Sequence, residues 1–175
     1  MFSSIKRQNR DRDRTTYINL YKTYVRPHLE FSSPVWNPWL TLDVERLENV
    51  QKKALKQVNG LKETDYLTRV KEFGLTTLEE SRTLTDLVQT YKIINGIDDV
   101  ERKIWFELYG DTERRVTRTS EPSLCIVASR PNLDRRKHFF SNRKVQQWNS
   151  LPENIKNARN VKQFKKMYLS QVPPP

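Results

Sequence analysis

The chain holds few side chains able to do covalent chemistry. It has two histidines, His28 and His138, and a single cysteine, Cys125. Nucleophilic catalysis needs a base beside its nucleophile, usually a histidine. Neither histidine lies in a recognisable Ser or Cys signature, and His28, between Pro27 and Leu29, reads as a hydrogen-bonded structural residue. One cysteine excludes an internal disulfide framework and a Cys-rich zinc site. The adjacent pair Asp98-Asp99 is the one arrangement that imitates a metal centre, since paired aspartates hold Mg²⁺ for phosphoryl transfer. That role needs β-prone apolar flanks. Here the preceding residues have helical period and stop at Asn95-Gly96, so a helix end followed by a cap explains the pair. Four glycines in 175 residues cannot build a phosphate-cradling loop of the G-x-x-x-x-G-K-[ST] or G-x-G-x-x-G kind. No catalytic residue, metal site or cofactor is expected, and the chain is read as not an enzyme.

The other available chemistry is charge. Thirty-two basic residues face 21 acidic ones, a net charge of +11. The excess is uneven. Residues 61–100 hold five basic and eight acidic residues, whereas residues 121–175 hold eleven basic and three acidic, net +8. A concentrated positive surface suits a polyanion, nucleic acid before membrane. The candidate contacts are Arg135, Arg136, Lys137, Phe139, Arg143 and Lys144, extended by Lys162, Lys165 and Lys166. On a helix from Asp134 to about Asn149, Phe140, Lys144, Val145, Trp148 and, beyond its end, Leu151 share a core-facing arc. Arg135, Arg136, Phe139, Asn142, Arg143 and Gln146 fall opposite. An aromatic among guanidinium groups suits single-stranded RNA, whose bases stack on π faces while arginines hold phosphate. The alternative left open is that Phe139 packs under residues 110–133 and the arginines are merely solvated.

These residues must be positioned by helices. Tyr17, Leu20, Tyr21, Tyr24 and Val25 recur at helical spacing, with Thr15 or Thr16 as cap and Pro27 as kink or end. Two prolines and two tryptophans make residues 32–39 a packed corner, with Trp36 and Trp39 read as core. Thr41 and Asp43 open a helix whose apolar stripe is Leu40, Val44, Leu47, Ala54, Leu55 and Val58, with Gln51 on the same side. Glu48 and Lys52 can pair on its outer face, and Asn59-Gly60 stops it. Thr64 or Asp65 opens a short helix that Gly74 ends. Thr76 with Glu79, or Thr77 with Glu80, forms a capping box for the next helix, which stops at Asn95-Gly96. Asp98-Asp99 then caps a short helix containing Ile104, Trp105 and Leu108. Arg115–Thr119 and Leu124–Val127 are β-prone. Asn160 caps a last helix.

The fold class is therefore mostly α, helical and bundle-like, with a short irregular or β-hairpin insertion around 112–130. Its organisation is a basic N-terminal arm (1–14, with Arg7, Arg10, Arg12 and Arg14), a helical region (15–109), a loop or hairpin (110–133), a basic C-terminal helical segment (134–170) and a tail (171–175). No apolar run approaches the roughly 20 residues that span a bilayer, and no signal peptide is evident. The expectation is an intracellular protein, nuclear or cytoplasmic, without a membrane partner.

The stretch Leu20–Pro38 (LYKTYVRPHLEFSSPVWNP) resembles the C-terminal part of reverse transcriptases from non-LTR retrotransposons of the jockey and chicken-repeat type. The resemblance continues through Leu47–Ala54 (LENVQKKA), Gly74–Arg82 (GLTTLEESR), Tyr91–Gly96 (YKIING), Arg136–Arg143 (RKHFFSNR) and Trp148–Ile155 (WNSLPENI), to Phe164-Lys165. It covers about Ile5 to Leu169, in the same order as in that family. It implies a thumb-side region following the polymerase palm, gripping RNA or an RNA–DNA duplex, with the polymerase core as a possible lost partner. The family's metal-binding aspartates have no counterpart here. Asp98-Asp99 corresponds to the family's downstream Asn-Gly segment. The chain thus looks like a non-catalytic remnant of an RNA-directed DNA polymerase. The competing reading is a helical protein-interaction module or a decayed fragment with no nucleic-acid role.

Overall fold

The structure is a computed structural model that describes residues 14–58, 63–111, 124–129 and 131–171. It is mostly α-helical. The chain divides into two compact units, and the division falls between Arg82 and Thr83, inside one long helix.

In the first unit, α1 (Arg14–Tyr24) and α2 (Arg26–Glu30) are separated at Val25, where Pro27 occupies the first turn of α2. A proline there lacks only an N–H that would be orphaned anyway, so it starts a helix as readily as it ends one. Because α1 already includes Arg14, Thr15 and Thr16 are helical residues rather than its cap. Ser32, at φ 51°, turns the chain into α3 (Ser33–Trp36). Then come α4 (Thr41–Lys56), α5 (Tyr66–Glu72) and the start of α6 (Leu78–Ile94). Ile18, Tyr21, Val25, Ala54, Leu55, Val70 and Leu75 form the core of this unit.

The punctuation is chemical. Asp65 accepts from the Leu67 N–H at 3.0 Å and caps α5. Gly74, at φ +57°, ends α5 in a Schellman motif: Leu75 N–H donates to the Val70 carbonyl and Gly74 N–H to that of Lys71. Of the two capping-box registers, Thr77 with Glu80 is the one formed. Glu80 N–H donates to Thr77 Oγ1 at 3.2 Å, and Thr77 N–H to Glu80 Oε2 at 3.0 Å.

Gln51, fully buried, is the polar hub of this unit. Its Oε1 accepts from the Tyr21 hydroxyl at 2.8 Å, and its Nε2 donates to Tyr66 Oη and to the Thr76 carbonyl. Tyr66 in turn donates to Glu48, which also accepts from the Leu78 N–H. Glu48 therefore points inward at the start of α6 instead of pairing with Lys52, whose ammonium lies 5.3 Å from the Tyr66 ring. Burial pushes both Tyr21 and Tyr66 above the ordinary phenol range, helped at Tyr66 by the Glu48 carboxylate.

The second unit continues α6 and adds α7 (Arg102–Trp105), a 3₁₀ turn (Tyr109–Asp111), α8 (Asp134–Lys137), α9 (Phe140–Arg143), α10 (Val145–Asn149), α11 (Glu153–Lys156) and α12 (Val161–Gln171). Leu87, Tyr91, Phe106, Trp148, Ile155, Phe164 and Tyr168 anchor its core. Tyr91 stacks on Phe164 with centroids 4.7 Å apart, and its hydroxyl donates to the Ala158 carbonyl. Asn160 caps α12 through the Gln163 N–H at 2.8 Å.

Three expectations change here. Asp98-Asp99 does not cap α7, whose preceding residue is Glu101. Asp98 instead accepts from Gln89 Nε2 at 2.7 Å and lies 3.5 Å from Lys92 Nζ, tying the turn back to α6. The helix expected from Asp134 to Asn149 is three short helices, with Phe139 extended (φ −65°, ψ 151°) between the first two. Leu133, not Asp134, precedes the first. The break lets two neighbouring phenylalanines reach the same indole. Phe139 lies parallel to Trp105 at 6.2 Å, and Phe140 meets it edge-on at 6.0 Å. Packing thus overrides helical propensity.

The β-prone Leu124–Val127 stretch pairs outside the expected hairpin. Ile126 forms an isolated antiparallel bridge with Leu108, through Tyr109 N–H to the Cys125 carbonyl and Val127 N–H to that of Glu107. Its other edge is satisfied by one side chain: Asn149 Oδ1 accepts from Ile126 N–H at 2.8 Å, and Asn149 Nδ2 donates to the Ile126 carbonyl at 2.9 Å. The Arg115–Thr119 strand and the remainder of the hairpin, the Asn59-Gly60 stop, Arg7, Arg10 and Arg12 of the arm, and residues 172–175 of the tail lie outside the described residues.

Candidate nucleic-acid interface

The nine residues expected to touch nucleic acid all lie in the second unit, and the structure sorts them by what already holds them. Arg143 is not a surface cation. Its guanidinium forms a bidentate pair with Asp86, Nε to Oδ2 at 2.8 Å and Nη2 to Oδ1 at 2.7 Å. The side chains are 9% and 0% exposed, respectively. A buried carboxylate requires such a partner, so Arg143 serves the interior of this unit. Lys144 is also committed, donating to Thr83 Oγ1 at 3.0 Å. Both depart from the expected interface because their acceptors arrive from α6, far away in sequence.

Lys137 is exposed but engages Asp134 at 2.7 Å on its own helix. That hydrogen bond holds the Asp134 carboxyl below the usual carboxylate range. Both groups are largely solvated, so the pair is easily exchanged for another anion. Arg135 and Arg136 are exposed on α8. Lys162, Lys165 and Lys166 are exposed on α12, at i, i+3 and i+4, while Phe164 and Tyr168 of the same helix are buried. Among the described residues, no ion pair engages any of these five cations. Phe139 takes a middle course: one ring contact is made with Trp105, and the side chain is still 53% exposed.

Arg14, counted with the basic arm, is instead part of α1 and bridges Glu72 at 2.5 Å, with its guanidinium 5.9 Å from the Phe73 ring. The aromatic corner of the first unit is likewise not core. Phe31, Val35, Trp36, Trp39, Leu40 and Leu42 are all exposed, Val35 at 85%. Trp36 is fixed by its indole N–H, which donates to the Phe31 carbonyl. Proline and short helix turns shape this corner, and these apolar side chains stay partly in solvent.

One feature of the second unit has no forewarning in the sequence. A cleft of about 540 Å³ is lined by Lys103, Trp105 and Phe106 from around α7, by Asn132 and Leu133 before α8, and by Arg136 on α8. These residues lie some thirty positions apart, and the Leu108–Ile126 bridge and the packing of Phe139 and Phe140 on Trp105 link the two segments. The only hint was Trp105 itself, an aromatic next but one to Lys103.

Among the described residues, no cluster of His, Cys, Asp or Glu could hold a metal ion. No helix among them is long and apolar enough to cross a membrane. Compared with protein-family models, curated proteins and solved structures, the chain matches none.

Proposed function

We propose that the chain is a non-catalytic nucleic-acid-binding element, gripping RNA or an RNA–DNA duplex through its second unit. On the sequence resemblance, it corresponds to the thumb-side remnant of a retroelement RNA-directed DNA polymerase and acts inside the cell, in nucleus or cytoplasm. The observation that carries this reading is a set of exposed cations that form no ion pair among the described residues: Arg135 and Arg136 on α8, and Lys162, Lys165 and Lys166 on α12. Solvated cations of this kind exchange counterions for phosphates at little structural cost. Titrating a labelled single-stranded RNA with the protein at several salt concentrations tests it. Binding should weaken with salt, with a log–log slope of about −0.7 per phosphate neutralised. Undetectable affinity at low salt, or affinity indifferent to salt, refutes it.

A second reading is favoured by the exposed apolar corner between Phe31 and Leu42. A cluster of exposed apolar side chains suits a protein interface, and the polymerase core of the resembled family is the partner this reading names. Supplying such a core in trans should shift the chain to a larger species in size-exclusion chromatography. Trp36→Ser with Trp39→Ser should abolish that shift. No shift with the unaltered chain removes this reading and leaves the first untouched.

A further inference from the structure

We infer that the cleft between α7 and α8 is a slot for one unstacked nucleotide, base inward and phosphate at the rim. The inference rests on the nucleic-acid reading above and adds to it a specific pocket, a ligand and a mode of recognition. Its volume, about 540 Å³, is that of a small-molecule site. Three features specify the ligand. Trp105 forms part of the wall and is braced by two rings, Phe139 parallel to it and Phe140 edge-on. A braced indole is a stacking surface that loses little freedom when a base arrives. Lys103 and Arg136 also line the cleft, and neither has an ion pair among the described residues. They supply charge for a phosphate. Glu107 lines it too, an acceptor suited to the amino or imino hydrogens of a base edge.

The wall is preorganised. Asn142 Nδ2 donates to the Arg136 carbonyl at 2.7 Å, and Asn142 Oδ1 is held by the Ser129 hydroxyl at 2.5 Å. The Asn142 amide is therefore spent on fixing the backbone of α8, which leaves the Arg136 guanidinium as the reaching group. Two cations alone would fit any phosphate. The braced indole and the carboxylate are what distinguish a nucleotide from inorganic phosphate. The same chemistry could be offered by a nucleotide within a strand or by a free mononucleotide. The exposed lysines of α12 in the same unit favour the strand.

The test compares, on the full chain, a labelled single-stranded oligouridylate with an abasic strand of equal length and charge. The intact strand should bind about tenfold more tightly, because stacking of a base on an aromatic contributes on that scale. Uridine monophosphate should displace it at concentrations where inorganic phosphate does not. Trp105→Leu should reduce intact-strand affinity to the abasic level without changing the salt slope, and Arg136→Gln should flatten that slope by about 0.7. Trp105 also packs against the core, so the intact-versus-abasic comparison is made first on the unaltered chain, where no substitution bears on the fold. Equal binding of the two strands overturns the slot and leaves the wider nucleic-acid reading standing. Binding of neither strand overturns both. Mononucleotide binding without strand binding overturns the assignment to a strand.

Discussion

At the scale of single residues, the second unit shows that a basic side chain can serve the interior or the surface, and that sequence does not say which. Arg143 and Lys165 are alike in type and both lie in the basic last third. Arg143 is engulfed with Asp86, while Lys165 stands in solvent. Breaking a buried ion pair by removing one partner is strongly destabilising, by about 3–5 kcal/mol. Arg143→Met should therefore lower unfolding free energy in urea by up to about that amount. RNA affinity, measured where the variant is still folded, should be unchanged. A variant of native stability with weakened RNA binding would return Arg143 to the interface. Lys156 follows the same logic without a carboxylate. It is buried, donating to the Asn149 carbonyl at 2.9 Å and lying 3.4 Å from Cys125 Sγ. The +8 of the last third thus overstates the charge a polyanion would meet.

At the scale of elements, the features decided within a few residues are the ones the sequence discloses. Gly74 and Gly96 both adopt positive φ, +57° and +63°, and both close Schellman motifs, with Ile97 N–H donating to the Lys92 carbonyl in the second. A methyl group at either position would meet no atom within 4 Å, so the cost of alanine is purely conformational. Gly74→Ala and Gly96→Ala should each destabilise by about 1 kcal/mol, read as a lower urea midpoint with an unchanged slope. A loss of several kcal/mol would point to packing at these sites instead. The Thr77–Glu80 box and the Asp65 and Asn160 caps are legible for the same reason: donor and acceptor lie within three residues. The α8–α9 break is not. The rings on either side of it pack on Trp105, some thirty residues upstream, and a helical wheel drawn from Asp134 cannot contain that contact. That wheel set Phe139 among guanidinium groups, with packing under residues 110–133 as the alternative; the ring is half exposed and lies parallel to the Trp105 indole. Likewise, Gln51 showed on the wheel as a polar residue on an apolar face, but its partners Tyr21, Tyr66 and Thr76 come from three other segments.

At the scale of the whole molecule, the candidate surface is smaller and better defined than composition suggests. Periodicity alone was enough to expose Lys162, Lys165 and Lys166, because Phe164 and Tyr168 fix the buried side of α12. Partner identity was needed to withdraw Arg143 and Lys144, and partners distant in sequence carry no local signature. The consequence is quantitative. Each lysine that contacts a phosphate contributes about 0.7 to the single-strand salt slope. Replacing Lys162, Lys165 and Lys166 together by Gln should flatten the slope by about 2, with little change in stability, since exposed substitutions away from packed features usually stay within about 0.5 kcal/mol. Lys144→Gln, which removes one charge from a side chain tied to Thr83, should leave the slope where it is instead of flattening it by about 0.7. If the two substitutions instead changed the slope in proportion to charge removed, binding would follow net charge rather than a surface. The basic last third would then act as a diffuse electrostatic attractor, and neither α12 nor the cleft beside α8 would hold a defined place on the strand.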